Sequence, residues 1–331
     1  MTQENTISLG RIGVLMGGPS SERDISIKSG KAVTAALQER HCDVVPVVLD
    51  STEEDVLAAR LKEEEVDIVF IVLHGAFGED GTVQKILEER HIPYTGSGSA
   101  ASRVAMNKIS TLERLKPVDI PSPGHVVLSS GEQKDFQEVA ERLGGTTFVV
   151  KPASQGSSIG ISLVSSGEAF QEALRNAFAL DTEVLVEQYV RGKEITAGIL
   201  GGEALPLVEI RPRCPFFDFQ AKYQSGMSEY IVPAEISASA TRRIQGLAAQ
   251  AFRTLGCRDF ARLDFILDGQ DRPFFLEANT IPGFTATSLL PMAARAAGYD
   301  FGTLCLRILA LAQEREIRTS STSHEGKAVK S

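Results

Sequence analysis

The stretch Arg262–Gly283, RLDFILDGQDRPFFLEANTIPG, constrains the fold more than any other part of the chain. Alternating apolar and polar residues flank Asp268-Gly269-Gln270-Asp271, a turn composition, so the stretch predicts a β-hairpin. Strand side chains point to opposite faces in turn. On the first strand Leu263, Phe265 and Leu267 share one face, with Arg262 and Asp264 on the other. On the second, Phe274, Leu276 and Ala278 share a face, opposite Glu277 and Asn279. Such a hairpin can present Asp264, Glu277 and Asn279 together, with Arg262 beside them. Hard oxygen donors on rigid strands suit Mg2+, which keeps waters and takes further ligands from substrate phosphates. An ordinary amphipathic hairpin with a polar outer face has the same pattern. Thr280-Ile281-Pro282-Gly283 favours a site, because a glycine turn can bring a backbone N–H close to a ligand.

Upstream, short apolar strands alternate with helical spacings. Arg11–Met16 reads as a strand, GGPSS (17–21) as a loop and Asp24–Arg40 as a helix; Val44–Leu49 and Val66–Leu73 are further strands. This order implies a parallel sheet covered on both faces, with ligands beyond the strands' carboxyl ends. Glu22 and Asp24 make the first helix a poor phosphate cradle, but Glu22 could receive an ammonium group or simply favour the helix N-terminus. HGAFGEDGT (74–82) falls where a ligand loop belongs. It contains His74, Glu79 and Asp80; a glycine-rich turn with capping acids is the alternative.

Gly96–Ala101 matches GxGxxG/A, the dinucleotide fingerprint. It stands after three strands instead of one, and Asp119 downstream lies in a proline-rich loop that suits a domain junction. Beyond that junction, Thr147–Val150 predicts a strand ending at Lys151-Pro152. ASQGSSIG (153–160) follows, with Ile159–Val164 as the next strand. Its small residues let backbone N–H groups and hydroxyls approach phosphate oxygens; a structural hairpin loop is the alternative. It is not a Walker A motif, since no GK[ST] ends it. Glu187–Val190, leading to Glu194, would serve a nucleotide as a hinge, or be a plain inter-strand connection. Leu205–Ile210 reads as a strand, Ala238–Leu255 as an amphipathic helix, Ser288–Ala297 and Phe301–Arg315 as helices.

With 331 residues the chain is long enough for more than one domain. A net charge of −9 argues against general nucleic-acid or acidic-membrane binding. Cys42, Cys214, Cys257 and Cys305 form no CxxC pair, which fits a reducing compartment. No signal-peptide order stands at the N-terminus and no apolar run spans a bilayer, so a cytoplasmic protein is expected. The tail Thr319–Ser331 lacks apolar periodicity and is expected to be disordered.

Seven segments in order, GGPSSERDIS (17–26), LHGAFGEDGT (73–82), YTGSGSAASRVAMNK (94–108), KPASQGSSIG (151–160), FFDFQAKY (216–223), RLDFILD (262–268) and LEANTIPGFTATSLLPMAA (276–294), resemble the D-alanine–D-alanine ligase family of ATP-grasp enzymes. The resemblance implies an α/β, ATP-grasp fold. Residues 1–116 would form an N-terminal parallel α/β substrate domain, 117–190 a central ATP-grasp subdomain and 191–318 a C-terminal metal-binding domain. It also makes the GxGxxA match a strand-to-helix turn without a dinucleotide. The implied reaction joins two D-alanines through an acyl phosphate, with ATP and two Mg2+ or Mn2+ ions, for peptidoglycan synthesis.

By motif position, Asp264, Glu277 and Asn279 would hold the metals. Lys108, Lys151 and Ser158 would serve the ATP phosphates, and Glu187, Val190 and Glu194 the adenosine. Glu22 would take the ammonium of the first D-alanine, with His74 nearby and an open part in proton handling. Arg262 and the Gly283 N–H would stabilise the oxyanion. Lys222 and Ser288 would receive the second carboxylate. Ser157 and Tyr223 would join Glu22 in a network closing the 212–228 loop. Phe219, Gln220, Gln188, Thr287 and Asn107 depart from frequent family residues and put loop closure and ATP affinity in question. The family also implies a homodimer. The alternatives are a D-alanine–D-lactate ligase, disfavoured by Lys222-Tyr223, a non-catalytic nucleotide-binding protein, and a nicotinamide-dependent dehydrogenase.

Overall fold

The computed structural model describes residues 9–132, 134–212 and 228–328. Lys222 and Tyr223, and with them Cys214, Phe216, Phe217, Phe219 and Gln220, lie outside the described residues.

The first sheet contains β1 (Ile12–Gly17), β2 (Val44–Leu49) and β3 (Ile68–Ile71), all parallel in the order β2-β1-β3. A parallel bridge from Val69 to Tyr94 extends it. Every residue of β1 and β3 is buried, as expected of apolar strands covered on both faces. Helix α1 (Arg23–Glu39) packs Val33 and Leu37 onto Ile12, Val14 and Met16. Contact there is close: a Cβ on Gly30 would fall 2.6 Å from the Met16 side chain. Helices α2 (Glu54–Glu63) and α3 (Thr82–Glu89) cover the other face through Leu57, Leu61, Val83 and Leu87.

Helices α4 (Ser99–Met106) and α5 (Lys108–Leu115) follow, and then a 3-10 turn at Lys116–Val118. The second sheet holds β4 (His125–Ser129), β5 (Phe148–Pro152), β6 (Ser162–Val164) and β7 (Glu183–Gln188), antiparallel in the order β4-β7-β5-β6. Helices α6 (Phe136–Leu143) and α7 (Gly167–Phe178) cover it, with Phe136 edge-on to Phe148 and Phe170. The strand expected over Ile159–Val164 is confined to Ser162–Val164, because residues 156–161 turn locally: Ile159 N–H donates to the Gly156 carbonyl and Ile161 N–H to that of Ser158.

The third sheet comprises β8 (Gly192–Leu200), β9 (Glu203–Ala204), β10 (Val208–Pro212), β11 (Ser228–Ile231), β12 (Phe260–Asp268) and β13 (Pro273–Asn279). Its order is β11-β10-β8-β12-β13, antiparallel, with β9 on β8. Helix α8 (Ala238–Leu255) packs Ile244, Ala248 and Phe252 into a core shared with Ile109, Leu112 and Leu115 of α5. Helices α9 (Leu289–Ala296) and α10 (Phe301–Ala328) complete the chain. Leu304, Ile308 and Leu309 of α10 join the core of β1 and α1.

Two expectations are corrected. The hairpin does not alternate strictly. Asp264 pairs with Glu277 but Phe265 pairs with Phe275, so Leu276 is an extra residue, a β-bulge. Phe275 and Ala278 are therefore buried, while Phe274 and Leu276 are only half-buried. The tail is helical backbone as far as Ala328. Extending an existing helix adds one hydrogen bond per residue fixed and needs no new nucleus, so propagation does not require an apolar stripe.

Candidate active site

A cleft of about 450 Å3 opens between the three sheets. It is lined by Glu22, His74, Lys108, Ser157, Ser158, Glu194, Arg262, Asp264, Glu277, Asn279, Gly283 and Ser288, residues from all parts of the chain. Lys151 and Glu187 stand just behind this lining as a buried ion pair at 2.7 Å, and Val190 follows the end of β7. Glu79, from the 74–82 loop expected to meet a ligand, also lines the cleft, as does Ser29, which no motif marked.

The hairpin supplies one wall. Arg262 pairs with Asn279 and Asp264 with Glu277, before the bulge, so all four share the face predicted for them. Arg262 holds Asp264 through Nε at 3.0 Å and Nη2 at 2.9 Å, and Lys108 Nζ lies 3.7 Å from Glu277. The carboxylates suited to a metal are thus held by the cations suited to phosphate. Burial lowers the Lys108 pKa, and Glu277 opposes that shift. Asn279 Oδ1 accepts the Ile281 N–H at 3.0 Å. Among the described residues no group of three or more His, Cys, Asp or Glu side chains forms a metal cage. Two carboxylates and an amide fit an ion that keeps waters and shares substrate phosphates, so this donor set suits Mg2+ or Mn2+.

The 153–160 loop spans the cleft. Its base is tied to α5: Lys108 N–H donates to the Ala153 carbonyl, and Lys108 Nζ to that of Gln155 at 2.6 Å. Asn107 caps α5 by accepting the Ser110 N–H and donates through Nδ2 to Ser154 Oγ at 3.0 Å, a donation an aspartate could not make. At the tip, Ser157 Oγ donates to Glu22. Ser157 and Ser158 have φ of 53° and 60°, a left-handed backbone that costs ~1–2 kcal/mol per residue without glycine. At Ser157 that cost is offset in part by the hydroxyl's bond to Glu22.

Glu22 sits at the start of α1, beside the 74–79 loop. Ser20 Oγ donates to the His74 carbonyl at 2.6 Å, and the Glu22 N–H donates back to Ser20. Glu79 accepts the Gly75 N–H at 2.8 Å. Burial pushes its carboxyl up to about 8, and Glu22 adds to the shift. Burial pulls His74 down to about 4. Ser288 precedes α9 but does not cap it; its Oγ instead accepts the Thr285 N–H at 3.0 Å.

The GxGxxA turn binds no dinucleotide phosphate in this geometry. The Gly96 N–H is already donated to Asp259 at 2.8 Å, and a Cβ on Gly98 would lie 3.0 Å from Glu88. Ser29 was recognisable only as one of the small residues Ser26, Ser29 and Gly30, at helical spacing on the inner face of α1.

The family model described as D-ala D-ala ligase C-terminus matches residues 115–310, and the D-ala D-ala ligase N-terminus matches 11–61 and 53–97. The D-alanine–D-alanine ligase of Pelotomaculum thermopropionicum is 46% identical over 314 residues, 92% of this chain and 97% of its own length. That of Desulforudis audaxviator is 44% identical over 92% of this chain and 99% of its own length. The solved Bacillus anthracis D-alanine–D-alanine ligase complexed with ATP superposes with a TM-score of 0.82 at 32% identity, covering 93% of this chain and 99% of that one. With both halves of the family model matched in sequence order over one ATP-grasp architecture, the chain belongs to the D-alanine–D-alanine ligase family.

Proposed function

We propose that this chain joins two D-alanines to D-alanyl-D-alanine at the expense of ATP, supplying a peptidoglycan precursor. The observation that carries the reading is the register pairing Asp264 with Glu277 and Arg262 with Asn279 in the cleft that also holds Glu22, Ser157 and Lys108. A carboxylate is a poor electrophile. One carboxylate oxygen of the first D-alanine attacks the γ-phosphorus, the bond to the β-phosphate oxygen breaks and ADP leaves. The amine of the second D-alanine then attacks the acyl phosphate carbon, and the tetrahedral oxyanion collapses with loss of phosphate and a proton. The protein positions the groups and stabilises charge.

Asp264, Glu277 and Asn279 would hold two Mg2+ or Mn2+ ions, which neutralise phosphate charge when bound. Lys108, Lys151 and Ser158 bind ATP phosphates; Glu187, Val190 and Glu194 line the adenosine. Glu22 receives the first ammonium, kept in place by Ser157 and, in this reading, Tyr223. Arg262 and the Gly283 N–H face the oxyanion. Ser288, at the start of α9, and Lys222 receive the second carboxylate. The working unit is a cytoplasmic homodimer in this reading, which sedimentation of the purified protein tests; among the described residues no helix is long and apolar enough to cross a membrane.

The deciding experiment measures ADP release with ATP, Mg2+ and D-alanine, against L-alanine and D-alanine plus D-lactate, with mass spectrometry of the product. D-Alanine-dependent release with the dipeptide is expected. A depsipeptide product, or ADP without dipeptide, would reassign the acceptor. ATP binding without turnover would reduce the chain to a binding module.

A further inference from the structure

The inner face of α1 carries Ser26, Ser29 and Gly30, all buried. Ser26 joins two strand ends: its Oγ accepts the Gly17 N–H at 2.9 Å and donates to the Val72 carbonyl at 2.6 Å. Ser29, one turn further, bridges a wider gap. Its Oγ accepts the Phe284 N–H at 3.4 Å and lies 3.3 Å from His74 Nε2. On the other side of the ring, His74 Nδ1 is 3.0 Å from the Ile281 carbonyl oxygen. A carbonyl can only accept, so Nδ1 carries the ring proton. Nε2 is then the acceptor, and the Ser29 hydroxyl donates to it. Hydroxyl and imidazole grip the Ile281–Phe284 turn at its first carbonyl and its last N–H, with Gly283 between them.

We propose that Ser29 and His74 are positioning residues that fix the turn presenting the Gly283 N–H, and that His74 acts by holding this turn, not by carrying a proton. The proposal rests on the reading of Gly283 as an oxyanion donor. Both ring nitrogens are engaged within the protein, which leaves the imidazole no atom for substrate. Burial keeps the ring neutral, the form this bridge requires. A preorganised donor is sensitive to its support: a misplacement of ~1 Å can cost ~10²-fold in rate, and loss of a whole oxyanion donor costs ~10²–10³-fold.

The test uses full-length Ser29→Ala, His74→Leu and His74→Asn. Asparagine places an N–H where the imidazole has Nδ1, so it keeps the Ile281 contact and loses only the Ser29 contact. Steady-state kinetics are read beside amide hydrogen exchange of the peptide covering 280–285, with the rest of the chain as internal control. Ser29→Ala and His74→Leu are expected to exchange faster at this turn alone. Their kcat should fall on the order of tenfold or more, with the KM for ATP within about twofold. His74→Asn should recover much of the loss and keep the wild-type pH–rate shape. Unchanged exchange and kcat in Ser29→Ala would overturn the bridge. Faster exchange with unchanged kcat would leave the bridge as a fold contact and sink the Gly283 assignment. An inactive His74→Asn with an altered pH limb would restore His74 as a proton carrier.

Discussion

Glu79 and His74 belong to one loop, and burial discharges both. The carboxyl titrates near 8 and the imidazole near 4, so at pH 7 the loop wall beside Glu22 carries little charge of its own. The Glu79 carboxyl has its folded-state pKa raised from an ordinary 4.5. Between those two values the folded protein binds the proton more tightly than the unfolded chain. Stability from this group is therefore full below about 4.5 and is lost as pH rises through about 8. Glu79→Gln keeps an acceptor for the Gly75 N–H and removes the ionisation. Its Tm advantage over the wild type should be small at pH 5, grow up to about pH 8 and then level off; a pH-independent difference would refute the assignment. On the hairpin, Glu277→Gln should leave circular dichroism and the unfolding midpoint near wild type while turnover drops by roughly a hundredfold or more. Full activity in that variant would remove Glu277 from the metal set.

At the level of elements, the hairpin was legible because side-chain alternation and turn chemistry are local. Arg262, Asp264, Glu277 and Asn279 share a face as the pattern required. The bulge at Leu276 was not legible: an apolar residue followed by glutamate reads the same with or without an extra residue in the pairing. The Ser29–His74–Ile281 bridge was invisible for another reason. It joins residues from α1, the loop after β3 and the turn after β13, and no periodicity encodes such a contact. Helix ends fall between these cases. Ser237 was not singled out, yet it caps α8 by accepting the Ala240 N–H at 3.1 Å and donates to Asp271 in the hairpin turn at 2.7 Å. Ser237→Ala should cost about 1 kcal/mol in urea unfolding and leave kcat unchanged, since α8 supplies no residue to the cleft. A loss below a few tenths of a kcal/mol would mean that water replaces the cap.

Across the whole molecule, the catalytic hairpin is moored to the first sheet by one buried carboxylate. Asp259, immediately before β12, accepts the Gly96 N–H at 2.8 Å and Nη1 of Arg315 from α10 at 2.8 Å to each oxygen. Arg315 Nη2 donates to the Tyr94 carbonyl at 2.6 Å, and Tyr94 itself bridges to β3. The segment between α3 and α4, the final helix and the strand carrying Arg262 and Asp264 therefore meet at a pair whose side chains are 5% and 18% exposed. Burial raises the Asp259 pKa and Arg315 opposes it, so removing the guanidinium leaves a desolvated carboxylate with less compensation. Breaking one side of a buried pair costs ~3–5 kcal/mol. Arg315→Met should lose about that much stability in urea unfolding. The double variant Arg315→Met/Asp259→Asn should recover part of the loss, because no charge is left stranded. Arg60 of α2 and Glu64 just past its end form a contrasting pair, partly exposed and 3.4 Å apart; Arg60→Met should cost no more than ~0.5 kcal/mol. If Arg315→Met cost no more than Arg60→Met, water would be reaching Asp259, and the mooring would have to rest on other contacts, such as Phe260 in the core shared with α1 and the His74–Ile281 bond.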